Sequence, residues 1–342
     1  MSKKKLGQYF TTNYQYILQD LYIPDYVEKI IEPFCGQGDL LNFIKNKAIY
    51  SIECYDIEPR KEYITQRDTL MNPPSYNNKF VITNPPYLAR NKTEEKGSFD
   101  KYNMNDLYKC FIKELLDNRV LGGIVIIPLN FWSSIRKSDI ELRRDFIGIY
   151  NILHLNIFEE QVFDDTTYTV CAFQFELKNN NLPNPIEITI YPDKKGISTL
   201  LNEENNYMIG GEIYNLHTID VYNITRLTSK NKDLANTNIV AKCIDDNGNS
   251  KICLFYSEDT SKYIDNTPNQ TARTYAMLVI EPVLNEERQR GLIVKFNDYL
   301  EASREKYHSL FLTNYRESKD IARKRISFDL VYKIIKHILE NE

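Results

Sequence analysis

The sequence contains no apolar run near the roughly 18 residues that a membrane-spanning helix needs, so no span is expected. Its start, MSKKKLGQYF, carries positive charge without a following apolar stretch, so no secretory signal is expected. Six cysteines (Cys35, Cys54, Cys110, Cys171, Cys243 and Cys253) include no C-x-x-C pair, and four lie inside apolar runs. Buried free thiols fit this better than a disulfide framework or a zinc site. The four histidines (His154, His217, His308 and His337) show no metal-ligand spacing, so no metal is expected. No internal repeat of about 20 to 50 residues is present, which argues against a solenoid. A surplus of positive charge is also missing: 43 Lys and Arg stand against 47 Asp and Glu, a net charge of −4. A general nucleic-acid coater would be basic, so any such binding must use a local basic face.

What is present is material for a core. With 342 residues and a hydrophobic fraction of 42%, one large domain or two ordinary ones are expected, in a soluble intracellular protein. The first half alternates. Strands are predicted over 27–33, 49–57, 79–83, 124–129, 152–158 and 167–177, with a helix opening at Asp39 and helices over 105–118 and 135–146. The pair Gly122-Gly123 reads as the breaker after the second of these helices. Such alternation argues for a mostly parallel sheet covered on both faces. The polar, proline-bearing stretch KNNNLPNP (178–185) reads as the domain boundary. Beyond it come short strands at 186–191 and 251–256 and helical patterns at 284–300 and 320–339.

The stretch IIEPFCGQGDLL ends a strand and opens a helix, and Gly36 and Gly38 would let a ligand approach the backbone. The full dinucleotide fingerprint wants a third glycine, but position 41 is Leu, which counts against NAD. Glu32 also counts against it, since a carboxylate repels pyrophosphate and attracts a cation. Asp56, 18 residues past Gly38, stands where an acid can hold two ribose hydroxyls. Asp68 follows before the third strand, where it can accept from an adenine amino group. Any one of these acids alone would read as a solvated loop residue. Three at successive strand ends suit a positively charged nucleoside such as S-adenosylmethionine.

The corner TNPPYLA (83–89) follows Phe80-Val81-Ile82. Two prolines remove two donors and fix two φ angles, so the corner is rigid. It reads either as a plain turn or as a clamp offering the Asn84 amide and backbone carbonyls.

EPFCGQG, YDIEP, RDTL, NPPY, NDLYKCFI, GGIVIIPLNFW and VFDDTTYTVCAF, in that order and after an opening GQYFTT, resemble the motifs of γ-type DNA adenine-N6 methyltransferases of restriction-modification and viral systems. The resemblance covers residues 6 to 177. It implies an α/β fold: a Rossmann-like S-adenosylmethionine-dependent methyltransferase domain (1–177) with a C-terminal mixed α+β target-recognition, DNA-binding domain (178–342). Thr11 would contact the cofactor carboxylate, Glu32 the methionine ammonium, Asp56 the ribose and Asp68 the adenine ring. Phe34, Gly36, Ile57, Asn84 and Pro86 would complete the cofactor site. Asn84, Pro85, Pro86 and Tyr87 would form the catalytic clamp, with Tyr87 and Phe163 holding the target base. Phe163 also reads as a core aromatic before a strand. Thr69 departs from the bulky residue often found there, so part of the pocket wall must come from elsewhere. Double-stranded DNA is the implied partner, with a cognate restriction endonuclease as a second. A monomer in a bacterial cytoplasm or virus-infected host is expected.

The run NYRESKDIARKR would set Arg316, Lys319 and Arg323 on one helix side, with Lys324 beside them, for phosphate contacts. A solvated helix face explains the run equally well. Residues 269–278 (NQTARTYAML) carry donors suited to base edges. The charged segment 90–106 after NPPY is expected to be mobile until DNA binds. Other substrates remain open: adenine in RNA, a protein glutamine, or none at all in a binding-only specificity subunit.

Overall fold

The computed structural model describes residues 7, 9, 11–163, 169–180, 185–245, 251–259, 261–264, 274–315 and 323–342. They divide into two compact units, one running to Leu201 and the other from Asn202 onward. The first is built on nine strands: β1 (Lys29–Glu32), β2 (Ser51–Asp56), β3 (Thr65–Gln66), β4 (Phe80–Thr83), β5 (Gly122–Pro128), β6 (Tyr150–Phe158), β7 (Val170–Leu177), β8 (Ile186–Tyr191) and β9 (Lys195–Thr199). Their order across the sheet is β3-β2-β1-β4-β5-β7-β6-β8-β9. β1, β2, β3, β4 and β5 pair in parallel, and β7 runs antiparallel between β5 and β6. Helices α1 (Tyr14–Ile17), α2 (Gly97–Tyr102), α3 (Leu107–Asp117), α4 (Asn130–Ser133) and α5 (Lys137–Ile149) accompany the sheet. This is a Rossmann-like α/β fold followed by a separate C-terminal unit of mixed α and β structure.

The strands form where the apolar runs are densest. Every residue of β5 is buried, as expected of a central strand covered on both faces. Gly122 and Gly123 begin β5 and do not merely end the preceding helix. A Cβ on Gly123 would stand 2.7 Å from the Val81 carbonyl oxygen, so only glycine fits beside β4. α3 buries Tyr108, Phe111, Ile112 and Leu115 on one face, at helical spacing.

Three expectations fail for identifiable reasons. No α-helix follows the Gly36-Gln37-Gly38 turn. Leu40–Phe43 forms a single 3-10 turn that buries Leu40 and Leu41, and Asn46 at φ 54° redirects the chain soon after. The glycine loop therefore has no helix dipole behind it. The segment after NPPY is ordered, because Phe99 and Tyr102 of α2 are buried and Lys101 Nζ donates to the Leu70 carbonyl at 2.7 Å. The unit also ends later than residue 177. β8 pairs in parallel with β6, buries Ile186, Ile188 and Ile190 on alternate positions, and carries β9 antiparallel on its outer edge.

In the second unit, β10 (Asn223–Arg226), β11 (Ile239–Lys242), β12 (Cys253–Tyr256) and β13 (Tyr275–Glu281) form an antiparallel sheet in the order β10-β13-β11-β12. The long helix α6 (Glu286–Tyr307) starts at Asn285, whose side chain accepts from the Arg288 amide. The C-terminal helix α7 (Phe328–Glu340) starts at Ser327, whose hydroxyl accepts from Leu330, and it buries Leu330, Ile334 and Ile335 as its periodicity predicts. These pack with Leu292, Phe296 and Leu300 of α6 into one core. A two-stranded ribbon, β14 (Thr313–Tyr315) with β15 (Arg323–Arg325), lies between the helices in sequence. The basic run is thus not one helix face. Arg323 and Lys324 sit on β15, and Lys324 is buried. Arg316 and Lys319 lie outside the described residues, as do 269–273 of the second candidate DNA-contact segment.

A chain ending after Leu201 should run as a soluble monomer on size exclusion. One ending after Leu177 leaves the β6 edge unpaired and should aggregate. Equal behaviour of the two fragments would contradict the assignment of β8 and β9 to this unit.

Candidate active site at the strand ends

β1 and β4 are sheet neighbours, with Ile31 opposite Val81. Their C-terminal ends therefore emerge together, carrying Glu32 on one and Thr83-Asn84 on the other. Glu32 is 1% exposed. Its Oε1 accepts from the Thr83 hydroxyl and, at 3.3 Å, from the Phe34 amide. Oε2 has no hydrogen-bond partner among the described protein groups. Burial raises the Glu32 pKa well above the ordinary carboxylate range, and the bonds from Thr83 and Phe34 only partly oppose it. A buried acid with one oxygen left over fits a small cationic group such as an ammonium.

Asp56 closes the next part of the site. Its Oδ2 accepts from the Gly36 amide at 2.8 Å and its Oδ1 from the Glu58 amide at 2.8 Å. The carboxylate thus ties the end of β2 to the glycine loop. Gly36 and Gly38 have φ of 57° and 82°, left-handed values that glycine adopts without strain. Phe34 is half-buried and meets Phe111 edge-on at 5.1 Å. Ile57 is 42% exposed beside Asp56, an apolar surface open to a flat ring. Asp68 is half-buried, and its Oδ1 accepts from the Leu70 and Met71 amides at 3.1 and 3.0 Å. Thr69 next to it is buried, and its hydroxyl donates to the Pro33 carbonyl at 3.0 Å. Thr69 therefore fastens the Asp68 loop to the end of β1.

The Asn-Pro-Pro-Tyr corner is held from outside by the N-terminal segment. Asn84 Nδ2 donates to the Tyr9 carbonyl at 2.9 Å and to the Thr11 hydroxyl at 3.0 Å. The Tyr87 amide donates to the Gly7 carbonyl at 2.9 Å. Gly7 has φ 67°, and a Cβ there would stand 2.7 Å from the Tyr87 carbonyl oxygen, so the contact requires glycine. A carbonyl can only accept, so the Tyr9 bond fixes which end of the Asn84 amide is nitrogen. Oδ1 must face the other way, towards the Tyr87 hydroxyl, which donates to it. That hydroxyl also reaches the Ile126 carbonyl at 2.9 Å, so its single proton is shared between two acceptors. Pro85 is buried and Pro86 half-buried.

The aromatic pair does not stand open as expected. Tyr87 is 2% exposed. Tyr9 tilts against it at 5.3 Å between ring centroids, and Tyr108 of α3 meets it edge-on at 6.2 Å. Phe163 is buried and lies 6.3 Å from the ring of Tyr9. Thr11 is buried with its oxygen accepting from Asn84, and its own proton remains to be donated. The structure thus links Thr11, Asn84, Tyr87, Thr83, Glu32, Gly36 and Asp56 through direct contacts and neighbouring strand ends. Sequence reasoning missed Gly7, Tyr9 and Thr83. The GQYFTT motif was the available signal for the first two, and nothing in the pattern flagged Thr83. Among the described residues, no group of three or more His, Cys, Asp or Glu could hold a metal ion.

No protein-family model and no curated protein matches the chain. Solved structures do align with it. One is a modification subunit of a type I restriction enzyme from Vibrio vulnificus YJ016, at 14% identity over 55% of this chain and 48% of that one, TM-score 0.42. A second is a class I S-adenosylmethionine-dependent methyltransferase from Listeria monocytogenes, at 12% identity over 52% and 61% of the two chains, TM-score 0.39. A third is the methyltransferase subunit of a type I restriction-modification system from Streptococcus thermophilus, at 14% identity over 55% and 48%, TM-score 0.37. The matched parts thus span 48% to 61% of those chains.

Two substitutions probe these contacts. Tyr87→Phe removes a buried, hydrogen-bonded hydroxyl and should cost about 1 kcal/mol, a fall in Tm of roughly 2–4 °C by calorimetry. Glu32→Gln tests the buried charge. Because its folded-state pKa is raised, Glu32 contributes stability below its unfolded value of about 4.3 and loses it as pH rises through the folded value. The Tm of Glu32→Gln relative to the native chain should therefore increase as the pH rises above about 4.3. A difference independent of pH would mean that Glu32 is not held neutral by burial.

Proposed function

We propose that the first unit transfers a methyl group from S-adenosylmethionine to the N6 amino group of adenine in duplex DNA. The observation that carries this reading is Asn84. Both of its N–H groups are engaged by the N-terminal segment, so its oxygen is held as an acceptor beside a buried acid. The orphaned Oε2 of Glu32 fits the cofactor's ammonium, while Asp56 would hold the ribose and Asp68 the adenine ring. Thr11 would donate to the carboxylate, with Phe34, Gly36, Ile57 and Pro86 completing the site. S-adenosylmethionine, when bound, supplies a methyl group activated by its sulfonium.

An exocyclic amine is a poor nucleophile, because its lone pair is delocalised into the ring. Asn84 Oδ1 and the Pro85 carbonyl would each accept one N–H and draw the nitrogen towards tetrahedral geometry. The same two acceptors stabilise positive charge that exists only in the transition state. The Tyr87 hydroxyl, which donates to Asn84 in the free protein, can move its proton to the Ile126 carbonyl and release that acceptor. The chain offers no Cys or Ser nucleophile at the corner, in keeping with direct transfer. Adenine inside a duplex cannot reach the corner, so the base is flipped out and held by Tyr87 and Phe163. The second unit would recognise the target sequence, and a restriction endonuclease would be the biological partner.

Incubation with radiolabelled cofactor and unmethylated genomic DNA should place the label in N6-methyladenine. Asn84→Ala should lower the rate by about a hundredfold or more. Label appearing only in RNA or protein, or an undiminished rate in Asn84→Ala, would overturn the reading.

A further inference from the structure

The ring of Tyr9 touches both aromatics assigned to the target base, Tyr87 at 5.3 Å and Phe163 at 6.3 Å, with interplanar angles of 31° and 40°. We propose that Tyr9 is a built-in stand-in for the flipped base: it fills the aromatic slot in the free protein and rotates out when a base arrives. The inference rests on the functional reading above, in which Tyr87 and Phe163 receive adenine.

Tyr87 has no open face, since it is 2% exposed. A base can stack on it only if a neighbouring ring leaves. Among the described residues, Tyr108 and Tyr9 both pack their rings against it. Tyr108 is 3% exposed and belongs to the buried face of α3, so moving it would open the core. Tyr9 is half-buried and belongs to no helix or strand. Of these two rings, Tyr9 is the one whose movement leaves the core of the unit closed.

The Tyr9 main chain has to stay. Its carbonyl accepts from Asn84 Nδ2 and so keeps Oδ1 turned towards the site. Gly7 stays fastened to the Tyr87 amide as well. Departure is thus a side-chain rotation about χ1, which empties the slot without disturbing the catalytic amide. The consequence is selective. A base must arrive with enough binding energy from the rest of the DNA to displace a ring attached to the protein, which a free nucleobase lacks. Tyr9 is a positioning residue that sets the threshold for occupation of the slot.

The test compares Tyr9→Ala, Tyr9→Phe and Phe163→Ala in methyl transfer to unmethylated genomic DNA. With the stand-in removed, Tyr9→Ala should lower KM for DNA by about threefold to tenfold, the equivalent of one aromatic pair. Tyr9→Phe restores the ring and should reverse the gain, while Phe163→Ala should raise KM. A rise in KM for Tyr9→Ala matching that of Phe163→Ala would make Tyr9 a wall of the base pocket and overturn the proposal. A second measurement uses the native chain labelled with 3-fluorotyrosine, the resonance of residue 9 being assigned by its loss in Tyr9→Phe. Adding the same DNA with sinefungin, a cofactor analogue that transfers no methyl group, should move this resonance towards the solvent-exposed position. A resonance that stays fixed while DNA binds would overturn the proposal. Failure of the native chain to methylate DNA would instead sink the functional reading, so the two failures are distinguishable.

Discussion

Parallel pairing of β1 with β4 is the constraint on which the site depends. Ile31 lies opposite Val81, so the two strands run out at the same level. Glu32 and Thr83 then meet by hydrogen bond although 51 residues separate them in the chain. The residue after Thr83 is Asn84, so an acid suited to a cation and an amide suited to an amine are neighbours by register alone. A slip of one residue would turn Glu32 to the opposite face of the sheet. The fully buried β5 on the far side of β4 secures the register. Its paired glycines allow the backbones to approach closely, and the Ile126 carbonyl holds Tyr87 from below.

On this frame the N-terminal segment works as a strap. It makes three hydrogen bonds to the NPPY corner: Gly7 to the Tyr87 amide, and Tyr9 and Thr11 to the Asn84 side chain. The prolines fix the main chain of the corner, but they cannot orient the Asn84 side chain. The strap does that, because an acceptor-only carbonyl permits a single amide orientation. Thr11 connects the two halves of the proposed chemistry. One hydroxyl accepts from the Asn84 amide, and in the proposed reading it would also donate to the cofactor carboxylate, so that cofactor binding and amide placement would meet on one side chain.

Much of this architecture was legible in the sequence. Buried strands with continuous apolar runs, such as β5, and the amphipathic α3 and α7 follow from pattern alone. The acids at strand ends and the NPPY corner follow from residue type and order. The failures share a cause, because each depended on a contact distant in sequence. Ile186 to Tyr191 alternates as any half-buried strand does, and nothing local says that β6 is its partner. The run around Arg323–Arg325 has helix-favouring composition, yet pairing with β14 makes it a strand and buries Lys324. The loop after Gly38 carries a helix-start signal, but it turns after one 3-10 turn because Leu40, Leu41 and Ile44 all reach the core at once. Tyr9 was invisible for the same reason. A tyrosine in a polar leader has no local mark of its contact with two rings far along the chain.

Glu32 shows what such a site costs in the free protein. A carboxyl that is 1% exposed, with an unpaired oxygen, opposes folding whenever it is ionised, and burial responds by holding its proton. A sequence selected for stability alone would place an apolar or amide residue at the end of β1. In the proposed reading the acid serves a ligand that brings positive charge, because pairing with that charge relieves the desolvation penalty on binding. The aromatic slot has the same logic with a different remedy. An open pair of rings would expose apolar surface to water, and Tyr9 covers it from within the chain. The acid can take up a proton while it waits, and the slot can take in a side chain. Each device must be undone by the ligand it anticipates.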